Sequence, residues 1–212
     1  STARGVGAAL RGALDPQLRT RLPREVIDVE IECDGSWRVG AERCAAAHAL
    51  ERLSTVDVYF LCLHGGEGED GTLQGFLHAS GRAHTGSGVR ASAVCMDKLA
   101  TRGLAAACGL RVADGLCIAQ HDWRNARPEW LARSARLARD GWVIKPRCGG
   151  SSVTTFITSD STELARSIDA VLATGDDALV EARVAGVEVS CGVLGNRGAE
   201  LCALPPVEIQ PK

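Results

Sequence analysis

Apolar and polar positions change period along the chain, and the changes mark its elements. Thr2 to Leu14 carries Ala and Leu at helical spacing and stops at Asp15-Pro16, which predicts a helix and a turn. Val26 to Glu32 alternates apolar and acidic residues, a half-buried strand, and Asp34-Gly35 turns it into Ser36-Trp37-Arg38. Asp57 to Leu63 is a continuous apolar run of β-prone residues, which fits a strand covered on both faces. Thr72 to Ser80 and Ser92 to Cys108 predict helices, giving a βαβ-style unit with loops at strand ends.

Around Asp114-Gly115 the character changes. Leu116 to Ala119 predicts a strand and Pro128 to Arg139 an Arg-studded amphipathic helix. Trp142 to Lys145 predicts a strand, Val153 to Ile157 its return, and Ser161 to Ala173 a helix with a good start. Ala178 to Glu181 and Val187 to Val193 read as strands again. The expected organisation is an α/β parallel-sheet unit over 1–113 and an α+β unit over 114–212, without internal repeats.

Composition narrows the class. The 212 residues hold 24 Lys plus Arg against 26 Asp plus Glu, which excludes a basic nucleic-acid binder. No run reaches the roughly 18 apolar residues of a membrane span, and Ser1-Thr-Ala-Arg-Gly lacks the apolar core of a secretory signal. The nine cysteines are odd in number, scattered and without a C-x-x-C pair, against a zinc site or a disulfide framework. Most have apolar neighbours and are expected to be reduced core residues, which points to the cytoplasm. Only Lys98, Lys145 and Lys212 are lysines, the other 21 basic residues being arginine, so a lysine at a strand end calls for a specific reason.

Three segments are candidates for chemistry. Lys145-Pro-Arg-Cys-Gly-Gly-Ser-Ser152 joins two strands, a flexible hairpin whose N–H groups and hydroxyls suit a phosphate chain beside a lysine point charge. It is not a Walker loop, whose lysine follows the glycines. His64-Gly-Gly-Glu-Gly-Glu-Asp-Gly-Thr72 sets a His, three carboxylates and four glycines after an apolar run, suited either to a polar substrate or to capping the next helix through Asp70 or Thr72. Glu181-Ala-Arg-Val184 and Glu188 supply carboxylates and irregular backbone that could meet ribose hydroxyls and an adenine edge. Gly86-Ser-Gly-Val-Arg-Ala91 meets the dinucleotide-binding pattern, but no good strand precedes it.

In combination these segments resemble the D-alanine–D-alanine ligase family of ATP-grasp enzymes. The resemblance runs through His64 to Gly75, Gly86 to Lys98, Val143 to Val153, Leu179 to Glu188 and Leu204 to Ile209, in order. It implies a pre-ATP-grasp, Rossmann-like domain followed by an ATP-grasp domain. The implied reaction joins two D-alanines through an acylphosphate, for peptidoglycan precursors; D-serine, D-lactate or antibiotic-pathway variants and an inactive nucleotide-binding homologue are the alternatives. By the same resemblance Lys98 and Lys145 hold ATP phosphates, Glu181 and Val184 sit at adenine, and Glu188 accepts from ribose. Ser151 and Ser152 belong to the phosphate-covering loop, Ser151 also to a substrate-side network. His64, oriented by Glu69, lies beside the first substrate. The family's first strand is expected before Ser1, and its lid, catalytic arginine and magnesium ligands after Lys212, leaving no metal ligand here. A homodimer is implied, with no nucleic-acid or membrane partner. Thr154 stands where relatives often have Gly and is expected to stiffen the loop; Ala182 stands where they often have Lys, at the adenine pocket.

Overall fold

The computed structural model describes residues 25–138, 140–150, 154–196 and 198–210. The helix expected over Thr2 to Leu14, and Ser151, Ser152 and Lys212, lie outside the described residues. The chain divides into two compact units, one of Ser1–Leu104 with Cys148–Val153, the other of Ala105–Arg147 with Thr154–Lys212.

In the first unit a three-stranded antiparallel sheet runs β1 (Val29–Ile31), β2 (Trp37–Val39), β3 (Glu42–Cys44). The turn at Asp34-Gly35 forms as predicted: Gly35 takes φ 80° and Asp34 Oδ1 accepts from the Ser36 amide at 3.1 Å. Trp37 and Val39 point into a core with Ala49, Leu50 and Leu53 around helix α1 (Ala46–Arg52) and with Leu73 and Leu77 of α2 (Thr72–Ala79). Trp37 meets Phe76 edge to face, with centroids 6.1 Å apart.

The strand expected at Asp57 to Leu63 is corrected: among the described residues it pairs only through one parallel bridge, Tyr59 with His84. Tyr59 donates to the Ala83 carbonyl and accepts from the Thr85 amide, both at 2.9 Å. Val58 and Phe60 are about half exposed, so this run is not covered on both faces. The helix expected over Ser92 to Cys108 is two helices, α3 (Val89–Met96) and α4 (Lys98–Ala107). Asp97 ends the first with ψ 101° and caps the second, its Oδ1 accepting from Leu99 and Ala100 at 3.0 and 3.1 Å. A short carboxylate that captures backbone N–H groups competes with helix continuation. Lys98 therefore opens α4 instead of riding within one apolar helix.

The second unit is built on a four-stranded antiparallel sheet of order β4 (Gly115–Ile118), β7 (Ala178–Ala182), β5 (Trp142–Pro146), β6 (Phe156–Thr158). Helices α5 (Gln120–Leu137) and α6 (Ser161–Leu172) supply the rest of its core. Strand alternation sends Trp142, Ile144, Val180 and Ile118 into that core with Ile168 and Val171. Each such fully buried aliphatic residue contributes about 1.5–3 kcal/mol. The Trp142 indole donates to the Ser134 carbonyl at 2.7 Å, locking the sheet to α5. α5 begins eight residues before the predicted Pro128 and is interrupted at Ala126 (φ −138°, ψ 38°), just ahead of that proline. Asp160 caps α6, accepting from the Thr162 amide at 2.6 Å.

Beyond β7 two ribbons form, β8 (Val189–Ser190) with β11 (Val207–Glu208), and β9 (Val193–Leu194) with β10 (Cys202–Ala203). All of these strand residues are exposed. The expectation that most cysteines lie in the core is overturned: none of the nine is in a disulfide, six are exposed and Cys44, Cys62 and Cys117 are half-buried. Apolar neighbours did not bury Cys202, because the two-stranded ribbon around it has no covering layer among the described residues. No described helix is long and apolar enough to cross a membrane.

Candidate functional site

In the second unit, register decides what stands beside Lys145. Strand β5 pairs Lys145 with Leu179 and Val143 with Glu181 of β7, so Lys145 and Glu181 are diagonal neighbours on one face, the face opposite Ile144 and Val180. The Lys145 ammonium and a Glu181 carboxylate oxygen are in direct contact. Glu181 is 8% exposed, and a charge so far removed from water is stable only when paired. On β4 the residue opposite Glu181 is Gly115, which puts no side chain on that flank of the carboxylate. Val184 and Glu188 follow in the irregular segment after β7, both exposed. The Glu188 carbonyl accepts from the Ile209 amide at 2.8 Å, which ties the segment to β11 and leaves its carboxylate as the chemical handle.

In the first unit, the loop from His64 is shaped by its glycines and carboxylates. Gly65 and Gly66 take φ 72° and 50°, and Gly71 φ 97°. A Cβ on Gly71 would lie 2.6 Å from the Val89 carbonyl, so only glycine fits this close approach. Asp70 accepts from the Thr72 amide at 2.8 Å in a turn just ahead of α2, whose N-cap position is Gly71. Glu69 accepts from the backbone N–H of Gly65. It therefore acts on the backbone next to His64, not on the imidazole, which is exposed. Gly150 approaches Glu69 closely enough that a Cβ there would stand 3.5 Å from its Oε2. Lys98 donates to the Gly149 carbonyl at 2.8 Å. The unit thus gathers His64, Glu69, Lys98 and the Gly149-Gly150 turn, while Ser151 and Ser152 lie beyond the described residues. Gln74 of α2, buried beneath this loop and donating to the Gly68 carbonyl at 2.8 Å, carried no sequence signal beyond being the polar neighbour of Leu73.

An antiparallel sheet backed by helices on one face, with a Lys–Glu pair on the other and a glycine-rich hairpin leading from the lysine, is the architecture of an ATP-grasp protein. The family model described as D-ala D-ala ligase C-terminus matches residues 104–212, and D-ala D-ala ligase N-terminus matches 34–87. The chain belongs to the D-alanine–D-alanine ligase family.

The chain is 40% identical over 164 residues to the D-alanine--D-alanine ligase of Gluconobacter oxydans, an alignment spanning 77% of this chain and 51% of that one. Among solved structures it is similar to the D-alanine-D-alanine ligase from Coxiella burnetii, with TM-score 0.63 and 30% identity over 93% of this chain and 54% of the other. It is also similar to the VanG D-Ala:D-Ser ligase from Enterococcus faecalis, with TM-score 0.75 and 25% identity over 96% and 66%. The chain spans about half the length of the curated relatives it matches.

Proposed function

We propose that the protein to which this chain belongs joins two D-alanines to D-alanyl-D-alanine at the expense of ATP, for peptidoglycan precursors in the cytoplasm. The observation that carries the reading is the match to ligase models in both halves of the chain, with Lys145 and Glu181 paired on the sheet face opposite Ile144 and Val180. A carboxylate oxygen of the first D-alanine attacks the γ-phosphorus and ADP leaves. The amine of the second attacks the resulting acyl carbon and loses a proton, and inorganic phosphate departs with one of the original carboxylate oxygens.

In this scheme the chain's work is positioning and charge neutralisation around a phosphoryl group. Lys145 and Lys98 hold phosphate oxygens, each held ready by a protein acceptor, Glu181 and the Gly149 carbonyl. Glu181 and Val184 receive adenine, with Gly115 leaving room at the flank, and Glu188 accepts from the ribose. Ser151 and Ser152 cover the phosphates, Ser151 also joining the substrate side. His64, held through Gly65 by Glu69, stands beside the first D-alanine. The proposed reaction uses magnesium with ATP; the described residues contain no group of three His, Cys, Asp or Glu that would hold a metal ion. We place the working protein as a homodimer with no nucleic-acid or membrane partner.

The test is phosphate release from ATP by the full-length protein with D-alanine, D-serine and D-lactate offered in turn. D-alanine-dependent release that disappears in Lys145→Ala is the expected result. Preference for D-serine or D-lactate as second substrate would move the assignment to a variant ligase, which the likeness to the D-Ala:D-Ser enzyme makes the second reading. Absence of turnover with every substrate would overturn the proposal in favour of an inactive nucleotide binder.

A further inference from the structure

Between α5 and α6, in the helix layer that backs the second unit's sheet, lies an open pocket of about 330 Å³, a volume at the small end of ligand sites. Its apolar part is exposed Ala173 with the edges of Trp123 and Leu172, which are otherwise buried in the unit's packed core. Its charged part is Arg124, Arg127 and Asp169. Both oxygens of the Asp169 carboxylate are engaged: Oδ1 accepts from the Trp123 indole at 2.8 Å and Oδ2 from Arg127 Nη2 at 2.6 Å. Arg127 is held a second time, its guanidinium carbon lying 4.9 Å from the centre of the Trp123 ring. These contacts fix the guanidinium in place and leave its Nε and Nη1 donors without an acceptor among the described residues. Asp169 balances the charge of Arg127. Arg124 has no such balance, being exposed and making no hydrogen bond or ion pair among the described residues, so two arginines against one carboxylate leave one positive charge lining the pocket.

We propose that this pocket binds a small monocarboxylate with a compact apolar body. The carboxylate accepts from Arg124 and from the free donors of Arg127, and the body covers Ala173 and the methylene stems of the two arginines. A single negative charge cancels the surplus, whereas a dianion would leave one charge uncancelled beside Asp169. None of the residues placed at ATP or D-alanine lines the pocket. Lys145 and Glu181 stand on the face of the sheet opposite Ile144 and Val180, which pack toward the helices, so the site is separate from theirs.

The Trp123 indole N–H provides the readout, because its acceptor Asp169 also holds the arginine that meets the ligand. The full-length protein, labelled with ¹⁵N in its tryptophan indoles, is titrated with cyclohexanecarboxylate. The Trp123 resonance is identified by its loss in Trp123→Phe, and Trp37 in the first unit serves as the reference. The Trp123 signal should shift along a saturating curve while Trp37 stays in place. Cyclohexanecarboxamide, the neutral isostere, and inorganic phosphate should each act at least about ten-fold more weakly on that signal. Arg124→Gln, at an exposed position, should weaken the carboxylate about ten-fold, and Ala173→Phe, also exposed, should remove the saturable shift by filling the pocket. A missing or non-saturating shift, an equal response to the amide or to phosphate, or a response unchanged in either variant would overturn the proposal. No ATP turnover is measured, so this failure is distinguishable from failure of the ligase reading.

Discussion

Thr154 holds a backbone conformation that glycine adopts more easily, and holding it has a measurable cost. Its φ is +59°, the one positive value at a non-glycine among the described residues. For an L-residue the left-handed region costs about 1–2 kcal/mol, through the crowding of Cβ against the carbonyl. Thr154→Gly removes that crowding but gives the unfolded chain about 0.5–1 kcal/mol more conformational entropy to lose. The difference leaves the glycine variant about 0.7 kcal/mol more stable, or about 1–3 °C in Tm for a chain of this size. Thr154→Ala keeps a Cβ, and with it most of the strain, and should move Tm by less than half as much. Thermal unfolding followed by tryptophan fluorescence suits the test, because Trp123, Trp130 and Trp142 lie in the same unit as Thr154. A Thr154→Gly protein that melts below the parent would refute the reasoning, since it would show glycine entropy with no strain to offset it.

Two further outcomes follow from the same geometry. Ile144→Ala should lower stability by about 2–5 kcal/mol and Ile157→Ala by less than about 0.5, because one side chain is fully buried and the other 63% exposed on the opposite face; urea midpoints that coincide would mean the faces of the sheet are misassigned. Burial pushes the Cys62 thiol above its ordinary range, so at a given pH less of it is thiolate, and it should react with maleimide more slowly than exposed Cys108 and catch up only at higher pH; equal rates at neutral pH would contradict that.

The elements legible from the chain were those whose partners are near in sequence. The β1–β2 hairpin followed from Asp34-Gly35, and β5, β6 and α6 from alternation and a capped helical period. Failures came where a distant or absent layer decides. An apolar run at 57–63 reads as a buried strand, yet its ladder depends on residues around His84 and extends to one bridge. A cysteine between apolar neighbours reads as core, yet Cys202 stands on an uncovered ribbon. Lys145 and Glu181 were each recognisable as candidates, but their pairing rests on the β5–β7 register, set by two strands more than thirty residues apart. The buried Gln74 oxygen, which has no hydrogen-bond partner among the described residues, had no signature at all, because satisfaction of a hydrogen bond is a property of the packed structure.

The central claim is that ATP activates a carboxylate, and the oxygen atoms record it. The full-length protein is supplied with ATP and D-alanine labelled with ¹⁸O in its carboxylate, and the released phosphate is examined by mass spectrometry. An acylphosphate route transfers one labelled oxygen to each phosphate formed, in step with dipeptide. Phosphate carrying no label, with its new oxygen drawn from water, would show simple ATP hydrolysis and contradict the account.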